Sequence, residues 1–381
     1  MAQVSKVVVV GGGIGGLTVA LALQRGGVEV EVHEKYDHLQ SRATGFTIWS
    51  YAIKHLLDLG VDPDTLARLG SAIEFTDIRS RHGRLIESLP VGEVSRRLGA
   101  PTYDIQRHGL QEALIEALGA EHVKMGSEVV GFEQDADSAT IVRKDGGRVS
   151  ADLVIGADGA HSTLRDLVAG RHLELHYSGF SGWGALIPFT HELLPERHHI
   201  EIWEKGSKGG IADVGGGRAR WYVMHRAAAG GTSVDKQEIL AHIDGWYELL
   251  AAAVEQTPEA GIVRTEAWDL APIDSWIDGR VVLLGDAAHA TTPFAAMGAC
   301  MAIEDADALG RLLLSQPWET AFPAFEQERK KRAEEVVKHG RTMGRVSQLQ
   351  STVALWLRDE FLAHVPPPKL AEIAEEMASG R

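Results

Sequence analysis

The chain has 381 residues with 38 basic and 53 acidic side chains, a formal net charge of −15 and one cysteine, Cys300. An acidic balance without a basic stripe argues against nucleic acid as a partner. A lone cysteine rules out an internal disulfide framework and suits a reducing cytoplasm, and no segment is apolar for long enough to span a bilayer. The length accommodates two domains and a sizeable core.

The valine run Val7 to Val10 reads as a strand buried on both faces and leads into Gly11-Gly12-Gly13-Ile14-Gly15-Gly16, then an apolar stretch of helical length, Leu17 to Leu23. That order is the setting in which a dinucleotide pyrophosphate meets the N–H groups at a helix start. Gly11 permits the tight turn, Gly13 lets phosphates approach the backbone, and Gly16 lets helix and strand pack closely. The glycines interrupt the apolar stretch and only Lys6 precedes it, so the segment reads as a βα core and not as a targeting signal. Glu34 follows the expected strand Glu29 to His33, 18 residues after Gly16, where an acid binds a ribose 2′-OH and disfavours a 2′-phosphate.

The βαβ start runs to about Leu59, and short strands in a polar, charged setting are expected over Ala72 to Val94. From Asp104 a helix is predicted with Arg107, Leu110, Leu114 and Leu118 on one face, followed by strands around Val123 to Phe132 and Ala139 to Arg143. Asp152 to Ile155 forms another buried strand, ending in Gly156-Ala157-Asp158-Gly159. Between Tyr177 and Trp268 the pattern alternates, as in His199 to Trp203 and Arg220 to Met224, which predicts an antiparallel sheet with one helix, Lys236 to Val254, over it. The glycines Gly209-Gly210 and Gly215 to Gly217 mark hairpin turns. A buried strand returns at Val281 to Leu284 and ends in Gly285-Asp286-Ala287-Ala288-His289, after which the chain is helical up to a break at Pro366-Pro367-Pro368 and a short polar tail. The basic run Arg329 to Arg332, followed by Glu334 and Glu335, reads as a solvated helix face laced with ion pairs. His191-Glu192 lacks the second histidine of H-E-x-x-H, and neither G-x-S-x-G nor a P-loop occurs, so no metal is expected.

Three ordered strings, the G-x-G-x-x-G, Asp158-Gly159-Ala160-His161-Ser162-Thr163-Leu164-Arg165, and Gly285 to His289 followed by Pro293 and a helix near Gly298, resemble the single-component FAD aromatic hydroxylases of the para-hydroxybenzoate hydroxylase type, which include salicylate, urate and hydroxynicotinate hydroxylases. The likeness extends from Val7 to about Arg345. It implies an α/β fold: a glutathione-reductase-type Rossmann FAD domain with an inserted antiparallel β-sheet substrate domain and a helical C-terminus. The FAD-binding parts are expected over residues 1–71, 98–175 and 269–345, the substrate parts over 72–97 and 176–268, and the helical segment over 346–381.

The implied activity is monooxygenation, in which NADH or NADPH and O2 serve as transient co-substrates and a C4a-hydroperoxyflavin hydroxylates a small aromatic or heteroaromatic ring. No second strand-borne G-x-G-x-x-G appears after position 120, in keeping with transient nicotinamide binding. Implied FAD contacts are Gly11, Gly13, Ile14, Gly15, Gly16, Glu34, Lys35, Arg42, Arg107, Val129, Asp158, Asp286, Pro293, Met297, Gly298 and Ala299. Asp286 is suited to a ribityl hydroxyl, and the helix-start N–H groups of Met297 to Ala299 to the flavin pyrimidine edge. Asp158 reads first as a residue that shapes its loop, and His161 and His289 read as structural. Thr47, Trp49, Trp183, Trp203, Trp221 and Tyr222 are candidates for the ring pocket, and His225, with Thr47, for proton handling. Arg42, Arg218 and Arg220 are each either a carboxylate contact or a surface charge.

The chain departs from the family pattern at Ala43-Thr44-Gly45-Phe46, at Ser50-Tyr51 and at Ala296-Met297-Gly298, which predicts an altered pocket floor. Two other classes stay open: an oxidase, dehydrogenase or halogenase on the same scaffold, and a non-catalytic FAD-binding protein. The protein is expected in the cytoplasm as a monomer or homodimer, with a small-molecule substrate and without nucleic-acid or membrane partners.

Overall fold

Val7, Val8 and Val9 are wholly buried because their strand, Lys6–Val10, is the middle of a sheet covered on both faces. The structure, a computed structural model, describes residues 4–39, 44–231 and 234–380. The sheet has six strands in the order Ile277–Asp278, Val281–Leu283, Leu153–Gly156, Lys6–Val10, Glu29–His33, Val123–Lys124. Val8 lies opposite Val154 on one side and Glu31 on the other, both in parallel register. Consecutive parallel partners therefore come from far-apart stretches of chain, and their carboxyl ends bring the glycine strings to one edge. The helix Ile14–Arg25 packs on this sheet and against the helix Gly298–Ser315, where Gly310 leaves room for Ala22: a Cβ on Gly310 would lie 2.9 Å from the alanine methyl.

The alternating middle of the chain forms a seven-stranded sheet in the order Val263–Asp269, His176–Pro188, Arg218–Arg226, Ser207–Gly215, His198–Glu204, Phe75–Ser80, Leu85–Leu89. It is antiparallel as expected except at one junction, where His198–Glu204 runs parallel to Phe75–Ser80. One face carries Trp183, Trp221 and Val223 into a second core beneath Leu249, Leu250 and Ile239. The single helix expected over that face is two, Lys236–His242 and Glu248–Gln256, separated by a turn in which Gly245 takes φ +69°.

Three further expectations are corrected. The helix expected from Asp104 begins at Arg107, because Tyr103–Gln106 is the central strand of a small sheet between Gly45–Ile48 and Gly70–Ala72. The triple proline leads not into a short polar tail but into a helix: Pro367 stands in the first turn of Pro367–Ser379, where its missing N–H costs nothing, and Leu370, Ala374 and Ala378 are buried. Arg329, assigned to a solvated face, is buried in the 30-residue helix Trp318–Ser347 and paired with Glu304 and Asp305. Among the described residues no helix is long and apolar enough to cross a membrane.

Candidate active site

The three glycine strings converge. A Cβ on Gly11 (φ +111°) would fall 2.2 Å from the Ala157 carbonyl oxygen, and one on Gly16 would fall 2.0 Å from the Gly11 carbonyl oxygen. A Cβ on Gly15 would meet the Ala302 methyl at 2.9 Å and a Leu284 methyl at 3.0 Å. Gly13 differs, because among the described residues nothing beyond its immediate chain neighbours comes within 4 Å of its Cβ position. Backbone packing thus demands Gly11 and Gly16 and side-chain packing favours Gly15, whereas Gly13 faces open space at the start of the helix Ile14–Arg25, which has no side-chain cap. Uncapped N–H groups there are ready donors for an anion. Glu34 braces the turn: Gly12 N–H donates to its Oε2 at 2.8 Å.

The second string anchors a helix start. Asp158 accepts hydrogen bonds from Ser162 Oγ and from the Thr163 and Leu164 N–H groups, and burial pushes its carboxyl up against those bonds. The third string places Asp286 immediately after Gly285 (φ +60°). Its side chain opens onto a cavity while protein surrounds it; burial pushes its carboxyl up, opposed by the His289 and Arg107 charges. Downstream, Pro293 starts a turn that ends at Ala296 in the left-handed region, φ +52°, and the helix Gly298–Ser315 begins without a side-chain cap.

These elements enclose a cavity of about 470 Å³ reaching from Gly13 to Gly16, past Arg107 and Asp286, to the seven-stranded sheet. Open space at Gly13, uncapped helix starts at both ends and an Asp286 carboxyl aimed inward fit an elongated cofactor with an anionic middle, as FAD has.

The sheet wall of the cavity is unexpectedly charged. Arg220 donates through Nε at 2.7 Å, and also through Nη2, to Asp104 Oδ1, which Thr47 Oγ1 also reaches at 3.0 Å; His199 Nδ1 lies 3.3 Å from Asp104 Oδ2. Beside this cluster Lys208 Nζ lies 2.8 Å from Glu201 Oε1, Tyr222 OH donates to the same oxygen at 3.0 Å, and Trp203 Nε1 donates to Oε2 at 2.8 Å. Burial would raise both carboxyls, but Arg220 and His199 hold Asp104 well below the usual range, and Lys208 with His199 lowers Glu201 to about 2. Burial, then the Glu201 charge, raises the Tyr222 phenol well above its ordinary value and keeps it protonated.

The sequence-derived candidates separate along these lines. Gly13, Ile14, Gly15, Gly16, Thr47, Arg107, Asp286, Pro293, Met297, Gly298, Ala299 and Tyr222 border the cavity. Lys35 and Val129 do not, and Arg42 lies outside the described residues. Trp183 and Trp221 border it but are packed in the second core, where Trp221 Nε1 donates to Thr257. Trp203 stands behind Glu201 among Ile78 and Ile86, and buried Trp49 is next to Cys300; neither lines the cavity. His225 is on the wrong face. Side chains alternate along Arg218–Arg226, so His225 joins Trp221 and Val223, stacked on Trp183 at 4.5 Å, while Arg220 and Tyr222 point into the cavity. Arg218 is held by the Gly215 and Arg68 carbonyls, and Arg220 proves to be the buried one. Asp104, His199, Glu201 and Lys208 were absent from the candidates; their alternation with Ile105, Ile200, Ile202 and Gly209 was the available signal.

The FAD binding domain family matches residues 4–340. Aurachin C monooxygenase/isomerase of Stigmatella aurantiaca is 33% identical over 359 residues, covering 93% of each chain. An FAD-dependent urate hydroxylase of Klebsiella pneumoniae is 30% identical over 372 residues, 93% of this chain and 95% of that one. The crystal structure of Klebsiella pneumoniae HpxO complexed with FAD and uric acid superposes with a TM-score of 0.92 at 26% identity, covering 99% of this chain and 97% of that one.

Proposed function

Because the chain belongs to the FAD binding domain family and is an FAD-dependent monooxygenase, we propose that its cavity holds the flavin along the glycine edge and a small aromatic or heteroaromatic ring against the charged sheet wall, where the ring is hydroxylated. The carrying observation is the convergence of three distant glycine strings on one cavity whose opposite wall is a buried polar sheet face. FAD, when bound, supplies the redox chemistry that activates O2, with NADH or NADPH as electron source.

The chain's own residues bind, orient and exclude water. Gly13 and the start of Ile14–Arg25 face the pyrophosphate, Glu34 the ribose with Lys35 and Val129 near the adenine end, and Asp286 a ribityl hydroxyl. Arg107 and Pro293 flank the flavin, and the N–H groups of Met297, Gly298 and Ala299 meet the edge that gains negative charge on reduction. Thr47 and Tyr222 contact the ring. His199, oriented through Nδ1 by Asp104, takes the proton-handling part first given to His225, holding a ring proton at Nε2, which has no hydrogen-bond partner among the described residues. We also retain the division into FAD-binding parts 1–71, 98–175 and 269–345 and substrate parts 72–97 and 176–268.

The test is aerobic NADH and NADPH oxidation by the FAD-loaded protein with hydroxylated benzoates, pyridines, purines and quinolones. Stimulation by one ring class, with a product heavier by one oxygen atom, is expected. A slow rate that no ring changes would refute the hydroxylase assignment.

A further inference from the structure

The charged wall has a definite arithmetic. Arg220 and Lys208, which face the cavity from the sheet, are each paired with a carboxylate, the buried Asp104 and the partly buried Glu201. Arg264, which also borders the cavity, is directed elsewhere: it pairs across the strands with Trp183, its guanidinium lies over that indole at 6.0 Å, and Nη2 donates to Ser181 at 3.1 Å. The remaining cation, Arg107, belongs to the glycine edge, where its charge acts on Asp286. Among the described residues, a carboxylate brought to the sheet wall would find Arg220 and Lys208 already paired with acids and Arg264 turned to the Trp183 and His225 side of the sheet, and it would sit beside two carboxylates already there. An ion desolvated without a counter-charge is strongly disfavoured.

The same wall is rich in donors. Arg220 uses Nε and Nη2 on Asp104 and Thr47, leaving Nη1 without a hydrogen-bond partner among the described residues, and Lys208 spends one contact on Glu201 out of three N–H donors. Donors on a charge-neutral pair suit an uncharged oxygen acceptor: a ring carbonyl or hydroxyl. Around them Phe46, Met224 and Phe294 give the cavity apolar surfaces for the body of a ring.

Resting on the ring-hydroxylating function above, we propose that the sheet wall selects uncharged oxo- or hydroxy-substituted aromatic or heteroaromatic rings and rejects rings bearing a carboxylate. The Arg220–Asp104 and Lys208–Glu201 pairs act as the selectivity device: they present hydrogen-bond donors while cancelling the positive charge that would attract an acid.

The experiment measures equilibrium binding to the FAD-loaded protein, through the flavin absorbance change, for matched pairs of ligands: salicylamide against salicylate, and a hydroxyquinoline against its carboxylate. The uncharged partner is expected to bind at least about tenfold more tightly in each pair. Asp104→Asn, which frees the Arg220 charge, should narrow or reverse the ratio, and Glu201→Gln should do the same through Lys208; the wild-type comparison stands even if either variant fails to fold. Equal or tighter binding of the carboxylates by the wild-type protein overturns the proposal while leaving the hydroxylase function intact. Binding of no ring of either kind overturns both.

Discussion

His289 Nε2 lies 2.6 Å from Asp305 Oδ2, and that same oxygen accepts the Gly285 N–H at 2.9 Å. Asp305 Oδ1 receives Arg329 Nε at 2.8 Å, so one buried carboxylate ties the turn that carries Asp286 to the long helix behind it. Removing it in Asp305→Ala leaves Arg329 with Glu304 alone and strands His289 and the Gly285 N–H group together. The expected cost is about 3–5 kcal/mol of unfolding free energy, measured by denaturant titration. An effect within experimental error of wild type would show that the turn is held by something else.

The same pair gives a pH dependence. Burial alone would lower the pKa of His289, but the Asp305 carboxylate raises it above the ordinary 6.5. Stability from the protonated ring is therefore complete below about pH 6.5 and is lost as pH rises through the higher folded value. His289→Gln should flatten the thermal-stability profile above about pH 6.5. A profile identical to wild type would contradict the assignment.

His225 has the opposite sign. Burial first, then His242 and Arg264, lowers it to about 4, so its neutral form is favoured in the folded protein. Its contribution is present above about pH 6.5 and fades as pH falls towards 4. His225→Phe keeps a ring on Trp183 and should remove part of the acid-side loss of stability while leaving turnover within about twofold, because the side chain faces the second core. Loss of turnover by a factor of a hundred in a stably folded variant would restore His225 to the active site.

Gly13 and Gly16 separate cofactor binding from folding. Gly13→Ala has clear space within the chain, so the apoprotein should keep its stability to within about 0.5 kcal/mol while FAD affinity drops by roughly tenfold or more. Gly16→Ala puts a methyl 2.0 Å from the Gly11 carbonyl oxygen and should lower apoprotein stability as well. Calorimetry of the apoproteins and FAD titration distinguish the two. Unchanged FAD affinity in Gly13→Ala would displace the pyrophosphate from this turn.

Arg220→Met would leave Asp104 buried beside Thr47 and His199 with its principal counter-charge gone, a loss of about 3–5 kcal/mol. Pairing it with Asp104→Leu should recover most of that loss, since two apolar groups leave no orphaned ion. A double-mutant cycle reports the coupling directly, and additive losses would show that the two side chains do not depend on each other.

What the sequence made legible has local causes. A valine run that fits only a doubly covered strand, and glycines spaced as a tight turn between that strand and an apolar helix, can be recognised without knowing their neighbours. The charged wall could not be recognised in that way. His199, Glu201, Arg220 and Tyr222 alternate with apolar residues in the same way whether the polar face meets water or an enclosed cavity, so the pattern reads as an ordinary solvated sheet. Strand parity could have separated His225 from Tyr222, since three positions apart puts them on opposite faces. Asp104 was assigned to a helix because the apolar spacing that follows is helical, and nothing local signals that a strand intervenes.

The pairing of Phe75–Ser80 with His198–Glu204 joins segments separated by more than a hundred residues, and the central sheet is completed only when Val281–Leu283 docks beside Leu153–Gly156. During synthesis the early strands emerge long before their partners, and both sheets stay unfinished through most of translation. Such non-local closure is slow and leaves strand edges exposed. The lining of the cavity between the two sheets runs from Gly13 to Ala302, so a ligand that bridges them would bind only after that whole span has been made.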